Sequence, residues 1–316
     1  FFAKSVTPAA SLPTYYQDIN GKSGKSLFDA VQMVTKLGYS SLGYDGLWGA
    51  YKKTDMRDNG KIWDMYSDCS WTVGSDQCGS YNNECDCYNR EHSMPKSWFN
   101  EGYPMYTDLF HLYPTDSYIN NMRSNYPFGE VNTIKKQSEG GFSKLGTCAV
   151  SGYSGTVFEP ADEYKGDFAR TYFYMATRYE SQIATWKSDM LAGNAYPAFT
   201  QWAITMLLKW HREDPVSEKE IKRNEAVYTI QKNRNPYIDY PVLAEFVWGE
   251  LTEVSVDISK LVLHSNEYDL DEDTGISIKE TSTTESEAII YDLTGRQITN
   301  PTQGIYIVNG KKRIAL

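Results

Sequence analysis

The sequence predicts an α+β fold in which a mainly helical domain, residues 1–249, precedes a small β domain, residues 250–316. Two observations support this prediction. Apolar side chains recur at helical spacing in several segments of the first domain, whereas after Trp248 and Gly249 they alternate as in strands. The chain has 316 residues and 41% of them are apolar, so it can bury a substantial core. We therefore predict a domain boundary near Gly249.

Five segments of the first domain have the apolar spacing and the end signals of helices. The first is stopped by Gly38. The last begins with Ser217 and Glu220, the S-x-x-E pattern in which each side chain satisfies a backbone N–H, and it is expected to end at Pro236. The aromatic stripes on these helices are predicted to lie in the core and not to form a cofactor site. The segments are SGKSLFDAVQMVTKLGYSS (23–41), YDGLWGAYKKTD (44–55), EYKGDFARTYFYMATRYE (163–180), AFTQWAITMLLKWHRED (198–214) and SEKEIKRNEAVYTIQKNRNP (217–236).

Strands are predicted throughout the second domain, because its apolar residues alternate between acidic or Asn/Gly turns. At 67 residues it is too short for an immunoglobulin-type sandwich of about 100 residues, so a small β unit is expected. The predicted strand segments are EVSVDISKLVLHS (253–265), GISIKE (275–280), EAIIYDLTG (287–295) and GIYIVNGKKRIAL (304–316).

The charge and hydropathy of the chain exclude two classes of protein. The net charge is −10, of which −6 falls on residues 250–316, so the whole surface is not a nucleic-acid footprint, although a local basic groove is compatible with it. No stretch approaches the roughly 18 apolar residues that a membrane-spanning helix needs. The chain is therefore not predicted to cross a membrane.

Four of the five cysteines crowd into a Gly-, Asn- and Asp-rich region just before residue 91. One interpretation is a loop tied by disulfides in an oxidising compartment. The other is a zinc site built from Cys78, Cys85, Cys87 and a histidine, although the paired C-x-x-C units of structural zinc sites are missing.

Glu91 and His92 stand side by side in NREHSMPKSWF, residues 89–99, in a chain with only four histidines. They could be two polar residues of a surface loop, because a dipeptide carries little information. Adjacent residues of a regular strand face opposite sides, so these side chains can converge only if the chain bends between them. Pro95, shortly afterwards, favours such a bend.

A strand–loop–strand–helix unit is predicted around this pair. One strand leads into Glu91, a second covers Asp108 to Tyr113, and Thr115 caps a helix that runs through Tyr118. Such a unit can bring Glu91, His92 and a polar residue of the helix to one point. Carboxylate and amide oxygens are ligands suited to Mg²⁺, and a neutral imidazole beside them can accept a proton from water. This combination predicts a hydrolytic phosphodiester site.

NREHSMPKSWF, followed by DLFHLYPTDSYINNMRSNYPFGEV at residues 108–131, resembles the bacterial endonuclease I family of secreted, non-specific nucleases. That family belongs to the ββα-metal (His-Me finger) group. The resemblance spans most of residues 15–249 and includes VFEPADEYKGDFARTYFYMATRY and NEAVYTIQKNRNPYIDYPVLAEFVWG. It implies a nuclease domain, mainly helical around a ββα-metal finger, that hydrolyses DNA and also RNA with little sequence preference and leaves 5′-phosphate ends.

The resemblance also assigns roles by position in these motifs. The general base falls on His92, and the metal ligands fall on Glu91 and Asn120. The expected metal is Mg²⁺, with Mn²⁺ or Ca²⁺ as alternatives.

Three further residues are candidates for substrate contact. Arg123 and Asn125 match polar positions of the same motif and are expected either to contact phosphate or to support the packing of the helix. Some relatives bind the scissile phosphate with an arginine of the long loop, where this chain has none, so Lys96 is the candidate for that role. His111, in DLFHLYP, is expected to support the site or the core and not to act in catalysis.

The family-like segments DQCG and DCYNREH imply a disulfide between Cys78 and Cys87 that steadies the strand entering Glu91. No partner is assigned to the other cysteines, which are Cys69, Cys85 and Cys148.

The end of the chain, IYDLTGRQITNPTQGIYIVNGKKRIAL at residues 290–316, resembles the C-terminal sorting domain of type IX secretion cargo. This resemblance implies export machinery as a partner and a secreted or cell-surface location, with the periplasm as an alternative. The other interpretation is a β accessory module that packs on the nuclease.

Two other functions are compatible with parts of the sequence. The 25 Tyr and 8 Trp residues and the acidic surface could belong to a secreted glycan-binding module, but the helical spacing of the aromatic residues predicts that they are core. A catalytically inactive scaffold with a nuclease fold is opposed by the presence of Glu91, His92 and Asn120.

Overall fold

The computed structural model describes residues 12–269 and five short strands within the rest of the chain. It has a mixed α+β fold, as the sequence predicts. Among the described residues, no helix combines the length and the apolar character that a membrane crossing requires. The α-helices of these residues are α1 (Leu12–Tyr15), α2 (Gly24–Lys36), α3 (Gly46–Thr54), α4 (Ser117–Arg123), α5 (Lys165–Arg178), α6 (Glu180–Ile183), α7 (Gln201–Glu213), α8 (Glu218–Gln231), α9 (Pro236–Asp239) and α10 (Leu243–Val247).

The described strands form three sheets. The first contains β1 (Tyr88–His92) and β2 (Leu112–Asp116), and the second contains β3 (Val131–Gln137), β4 (Lys144–Cys148) and β5 (Thr156–Glu159) in that order, all antiparallel. The third has the strand order β6-β7-β11-β10-β8-β9. Its strands are β6 (Tyr268–Asp269), β7 (Ile276–Ile278), β8 (Ile290–Tyr291), β9 (Gln297–Ile298), β10 (Gly304–Val308) and β11 (Lys311–Ala315).

Helix α5 forms the centre of the core. All of its residues except Lys165 are buried, and it packs against α2, α7 and α9. The aromatic stripe predicted to be core is therefore confirmed. The helix also carries Arg170, which is fully buried and binds both carboxylate oxygens of Glu220 at 2.6 and 2.8 Å. Glu220 completes the predicted capping box of α8 with Ser217, so one carboxylate both starts α8 and fixes it to α5.

The five predicted helices are confirmed, but one predicted helix end and one predicted strand are wrong. Helix α8 ends at Gln231, because Lys232 takes a left-handed conformation with φ of +68°. Pro236 does not end α8 but opens α9, where a missing N–H costs no hydrogen bond. The segment 253–265 is not a strand and contains the 3₁₀ helix Ile258–Lys260.

Residues 250–268 pack onto the helical domain. Leu251, Val256 and Tyr268 are buried members of its core, and the Tyr268 ring lies 4.8 Å from that of Phe246. The backbone N–H of His264 donates to the carbonyl of Asp239 at 2.8 Å. The boundary near Gly249 stays a prediction. Because of these contacts, a deletion that leaves the core covered has to begin after Tyr268.

Two disulfides tie down the cysteine-rich region. Cys78 is bonded to Cys87 and Cys69 to Cys85, while Cys148 is a free thiol. The zinc interpretation is therefore wrong, since its three thiols are used in disulfides. Cys87 directly precedes β1, and its carbonyl accepts a hydrogen bond from the N–H of Ser117, the first residue of α4. The Cys78–Cys87 bond thus holds the start of both β1 and α4.

We predict that replacing Cys78 and Cys87 together by Ser lowers the free energy of unfolding by about 2–3 kcal/mol, as expected for the loss of a short disulfide-closed loop. Urea denaturation of the oxidised proteins measures this, and Cys148→Ser is the matched control without a disulfide. Alkylation of the unfolded, non-reduced wild-type protein should label Cys148 alone. Labelling at Cys78 or Cys87 would contradict the bond.

We predict that the chain beyond Asp269 is dispensable for catalysis, because the candidate active-site residues all precede it. A protein that ends at Asp269 should keep its cleavage rate within about twofold. A protein that ends at Gly249 should melt at least about 6 °C lower, because it loses buried Leu251, Val256 and Tyr268. Differential scanning calorimetry and a plasmid-nicking assay check both. A folded but inactive protein ending at Asp269 would refute the first expectation.

Candidate active site

Strands β1 and β2 and helix α4 form the predicted strand–loop–strand–helix unit. Glu91 pairs with Tyr113 and His92 with Leu112 in an antiparallel ladder. The predicted order of elements is confirmed, but β2 begins at Leu112 and not at Asp108. Thr115 is not the helix cap, because α4 begins at Ser117 and the residue before it is Asp116.

The cap of α4 is Asp116, whose side chain accepts a hydrogen bond from the N–H of Ile119 at 2.8 Å. Asp is a stronger N-cap than Thr, because a charged oxygen also interacts favourably with the positive end of the helix. The short helix therefore starts at a fixed point directly after β2, which sets the position of Asn120 and Arg123.

Strand β1 does not bend between Glu91 and His92. Both residues are paired with β2, so their side chains leave the strand on opposite faces. Glu91 points towards Tyr66 and Arg123, whereas His92 points towards Tyr44 and Tyr106. Both nevertheless line one cleft of about 470 Å³, because this cleft opens at the end of the strand.

The Glu91 carboxylate is almost fully buried. Its Oε1 atom accepts hydrogen bonds from the Tyr66 hydroxyl at 2.9 Å and from Arg123 Nη1 at 3.1 Å, and Oε2 takes part in neither bond. Burial raises the pKa of Glu91 to about 7, against the opposing effects of Arg123 and Tyr66. A second positive charge at this carboxylate would therefore favour its ionised form.

Arg123 is fully buried and binds several groups of the unit at once. Besides Glu91, its guanidinium donates to the carbonyls of His92 and Ser93 and to the hydroxyl of Tyr172. A guanidinium that is buried and engaged in this way is not available to a substrate phosphate. Of the two roles expected for Arg123, these contacts favour support of the helix and of Glu91.

Asn120 stands on the face of α4 that lines the cleft and is partly exposed. Its Nδ2 atom donates to Asn89 Oδ1 at 2.7 Å. That bond uses the amide nitrogen of Asn120, so the amide oxygen of Asn120 takes no part in it. Asn120 therefore offers the cleft an oxygen ligand.

His92 is held in one tautomer by its neighbours. Its Nε2 atom lies 3.0 Å from the backbone carbonyl of Tyr106, which can only accept, so Nε2 carries the proton. In the neutral ring, Nδ1 then has a free lone pair. Burial lowers the pKa of His92 well below its usual value, and the nearby His111, Lys96 and Arg90 add to this. The geometry therefore leaves Nδ1 as the unprotonated nitrogen of a ring that stays neutral at neutral pH.

An aromatic wall supports the His92 ring. The ring stacks on Tyr106 at 4.9 Å between centroids and lies 5.5 Å from His111. His111 is fully buried, and its Nε2 atom lies 2.6 Å from the carbonyl of Met105. This placement agrees with the supporting role expected for His111.

Lys96 and Asn125 both lie at the exposed rim of the cleft. Lys96 makes an ion pair with Glu101 at 2.8 Å, and both side chains are about half exposed, so solvent weakens the pair. Asn125 accepts a bond from Trp98 Nε1 through its backbone carbonyl, which leaves its side chain out of that contact. All six residues predicted for the site thus line one cleft.

Arg90 is a cleft residue that sequence reasoning missed. Its guanidinium lies 3.6 Å from the ring centre of Tyr44 and 4.5 Å from that of Trp48, and it donates to the Tyr44 carbonyl. The only signal in the sequence was its position two residues before His92, on the same strand face. Tyr66 was also missed, and nothing in the local sequence indicates its contact with Glu91.

The donor set of the cleft fits a hard divalent cation. It offers the carboxylate oxygen of Glu91 that Tyr66 and Arg123 do not bind, and the amide oxygen of Asn120. Mg²⁺ is commonly held by one or two protein oxygens and keeps several waters, which suits an open cleft. The buried carboxylate with its raised pKa would also be stabilised by such a charge.

A family model described as Endonuclease I matches residues 24–242, more than half of the chain. The chain belongs to the endonuclease I family. The resemblance inferred from the motifs is therefore confirmed, and the protein is a nuclease of this family.

Individual relatives match the chain over different lengths. The extracellular ribonuclease of Bacillus amyloliquefaciens is 36% identical over 251 residues, which cover 77% of this chain and 81% of that protein. The extracellular ribonuclease of Bacillus subtilis (strain 168) is 32% identical over 256 residues, or 78% and 82% of the two chains. A periplasmic deoxyribonuclease of Aeromonas hydrophila is 25% identical over 134 residues, or 42% and 47%.

We predict that Arg123→Ala lowers the free energy of unfolding by about 3–5 kcal/mol, because the change leaves buried Glu91 without its counter-charge. Chemical denaturation at neutral pH measures the loss. Lys96→Ala is the matched control, since it removes an exposed cation of the same cleft and should change stability by less than about 1 kcal/mol. Wild-type stability of the Arg123→Ala protein, combined with weaker oligonucleotide binding, would instead assign Arg123 to phosphate contact.

Proposed function

We propose that the protein is a secreted, metal-dependent endonuclease that hydrolyses phosphodiester bonds of RNA and DNA with little sequence preference. The observation that carries this proposal is that three residues line one cleft: His92, whose Nδ1 atom is unprotonated, Glu91 with its carboxylate, and Asn120 with its amide. General base and metal ligands are the parts that such a hydrolysis needs.

His92 Nδ1 takes a proton from a water molecule as the water oxygen forms a bond to phosphorus. The bond from phosphorus to the 3′-oxygen breaks, and its electron pair stays on that oxygen, which takes a proton from solvent. The products are a 5′-phosphate and a 3′-hydroxyl. Tyr106 orients the imidazole through its carbonyl and its ring during this transfer. A cation held by Glu91 and Asn120, Mg²⁺ or alternatively Mn²⁺ or Ca²⁺, would supply positive charge beside the phosphate oxygens.

Low sequence preference follows from the kind of contacts available. Lys96 at the rim of the cleft is a phosphate ligand in this proposal, with Asn125 beside it. Contacts to phosphate position a nucleic acid but carry no sequence information. Relatives named as ribonucleases and as deoxyribonucleases both match the chain, which supports a substrate range that includes RNA and DNA.

Export from the cytoplasm is part of the proposal. Two disulfides form most readily in oxidising compartments, and relatives are named as extracellular or periplasmic. A role of the C-terminal tail in type IX secretion rests on its sequence resemblance alone. The glycan-binding alternative is not favoured, because the aromatic stripes of the helices lie in the core.

We predict that His92→Ala slows cleavage roughly 10²- to 10⁴-fold, because general-base help is worth about that much. Oligonucleotide binding should be nearly unchanged. His264→Ala is the matched control, since the His264 ring also binds a backbone carbonyl, that of Ile238, but lies outside the cleft. Near-normal turnover of a folded His92→Ala protein would refute the mechanism.

We predict a different response for the metal ligands. Glu91→Gln keeps the shape that Tyr66 and Arg123 contact, and Asn120→Ala changes a partly exposed side chain, so both proteins should fold. Each should need at least about tenfold more Mg²⁺ for half-maximal cleavage, because an oxygen ligand is weakened or lost. A Mg²⁺ titration of nicking, with EDTA as the blank, measures this. An unchanged Mg²⁺ requirement in both variants would remove Glu91 and Asn120 as ligands.

A further inference from the structure

A second cleft, of about 710 Å³, lies beside the active cleft. Helix α4 forms the ridge between the two: Asn120 and Arg123 line the active cleft, whereas Tyr118 and Met122 line the second. Ser124, at the end of the helix, lines both. A polynucleotide with one phosphate at His92 can therefore continue past Ser124 into the second cleft.

The second cleft exposes aromatic faces where most of the molecule buries them. Tyr118 is 43% exposed and Tyr126 is 39% exposed, and the two stand on either side of Ser124 in the chain. Exposed aromatic rings beside a backbone-binding groove bind nucleobases by stacking, and stacking tolerates any base. It requires, however, that the base is unpaired.

Two lysines of β3 supply positive charge to the same cleft. Adjacent strand residues normally face opposite sides, but β3 has a bulge here: Ile134 pairs with Gly146 and Lys136 with Leu145, so Lys135 is an extra residue. The bulge lets both lysines line the cleft. Lys135 binds the hydroxyl of Thr156 at 2.8 Å and no carboxylate in that contact, so its charge is not neutralised there.

The charge of this cleft is unusual for so acidic a chain. Among the described residues that line it there is no Asp or Glu, although the net charge of the chain is −10. In two other clefts of the described residues acids outnumber lysines: one has Glu130, Glu159, Asp162, Glu213 and Asp214 with two lysines, and one has Asp68, Glu139 and Asp162 with one lysine. A polyanion is repelled by those clefts and accepted by the one next to the active site.

We propose that the second cleft binds the unpaired nucleotides that flank the scissile phosphate, with Tyr118 and Tyr126 stacking on bases and Lys135 and Lys136 contacting phosphates. The preferred substrate is therefore a single-stranded polynucleotide, either RNA or DNA. This inference rests on the proposed function of the active cleft. It assigns to the enzyme a preference for single strands over duplexes.

The test measures binding in EDTA, which separates it from the chemistry. Fluorescence anisotropy with labelled 12-nucleotide single strands of RNA and of DNA, and with a 12-base-pair duplex, gives the Kd for each protein. Tyr118→Ala/Tyr126→Ala should weaken single-strand binding at least about tenfold, as expected from the loss of two stacked bases, and change duplex binding less than about twofold. Tyr118→Phe/Tyr126→Phe, which keeps both rings, should bind like the wild type.

Lysine variants test the phosphate contacts separately. Lys135→Ala/Lys136→Ala should reduce the slope of log Kd against log salt concentration by about 1.4, or about 0.7 for each phosphate contact of a single strand. The matched control is Lys52→Ala/Lys53→Ala, an exposed pair on α3 that lines neither cleft, which should leave the slope unchanged.

Wild-type single-strand affinity in the tyrosine-to-alanine variant, or an equal loss for single strand and duplex, overturns the proposal. So does an unchanged salt slope in the Lys135/Lys136 variant. Failure of the catalytic mechanism is recognised independently, because it appears as normal turnover of His92→Ala and does not alter these binding constants. The Kd values for the RNA and the DNA single strand show which of the two polynucleotides binds more tightly.

Discussion

The ion pair between Arg123 and Glu91 is the contact on which the rest of the active cleft depends. A buried carboxylate is costly unless it is paired and hydrogen-bonded, and here Arg123 and Tyr66 meet that requirement. The same guanidinium binds backbone carbonyls where β1 runs into the loop, as well as the Tyr172 hydroxyl of α5. One side chain thereby fixes β1, α4 and the central helix relative to one another. The positions of Asn120 and His92 follow from that arrangement.

The straight course of β1 separates two chemical environments. On one face Glu91 lies among polar groups, and burial raises its pKa to about 7. On the other face His92 lies against aromatic rings, and burial lowers its pKa. The proposed metal ligand and the proposed base therefore differ in environment although they are neighbours in sequence, and each is held by its own partners. A bend between them would have placed both groups in one environment and lost this division.

Local signals predicted the elements well, and long-range contacts account for what was missed. The capping box of Ser217 and Glu220 could be predicted from the sequence, because both partners lie within one helical turn. Residue type allows either Thr115 or Asp116 as the cap and both pair with β1, so only the hydrogen bond from Ile119 to Asp116 identifies the cap. The burial of Arg123 could not be predicted from the sequence, since it depends on Glu91 and Tyr172, which lie 32 and 49 residues away. Apolar and polar residues alternate in 253–265 because one side of this segment packs on the core. Such alternation indicates which side chains are buried, and it does not require the segment to pair with another strand.

The acidic balance of the chain is compatible with a polyanionic substrate because charge acts over short distances. At physiological ionic strength the Debye length is about 8 Å, so a phosphate at the rim of the cleft responds mainly to the side chains that line it. The lysines that line the two clefts are few, but they lie close to the proposed path of the substrate. They are Lys96 in the active cleft, and Lys135 and Lys136 in the second cleft. A small number of phosphate contacts gives weak, uniform binding, and uniform binding does not lower the barrier of the chemical step. In this arrangement the rate depends on the groups proposed to act on the reacting phosphate, namely His92, Glu91 and Asn120.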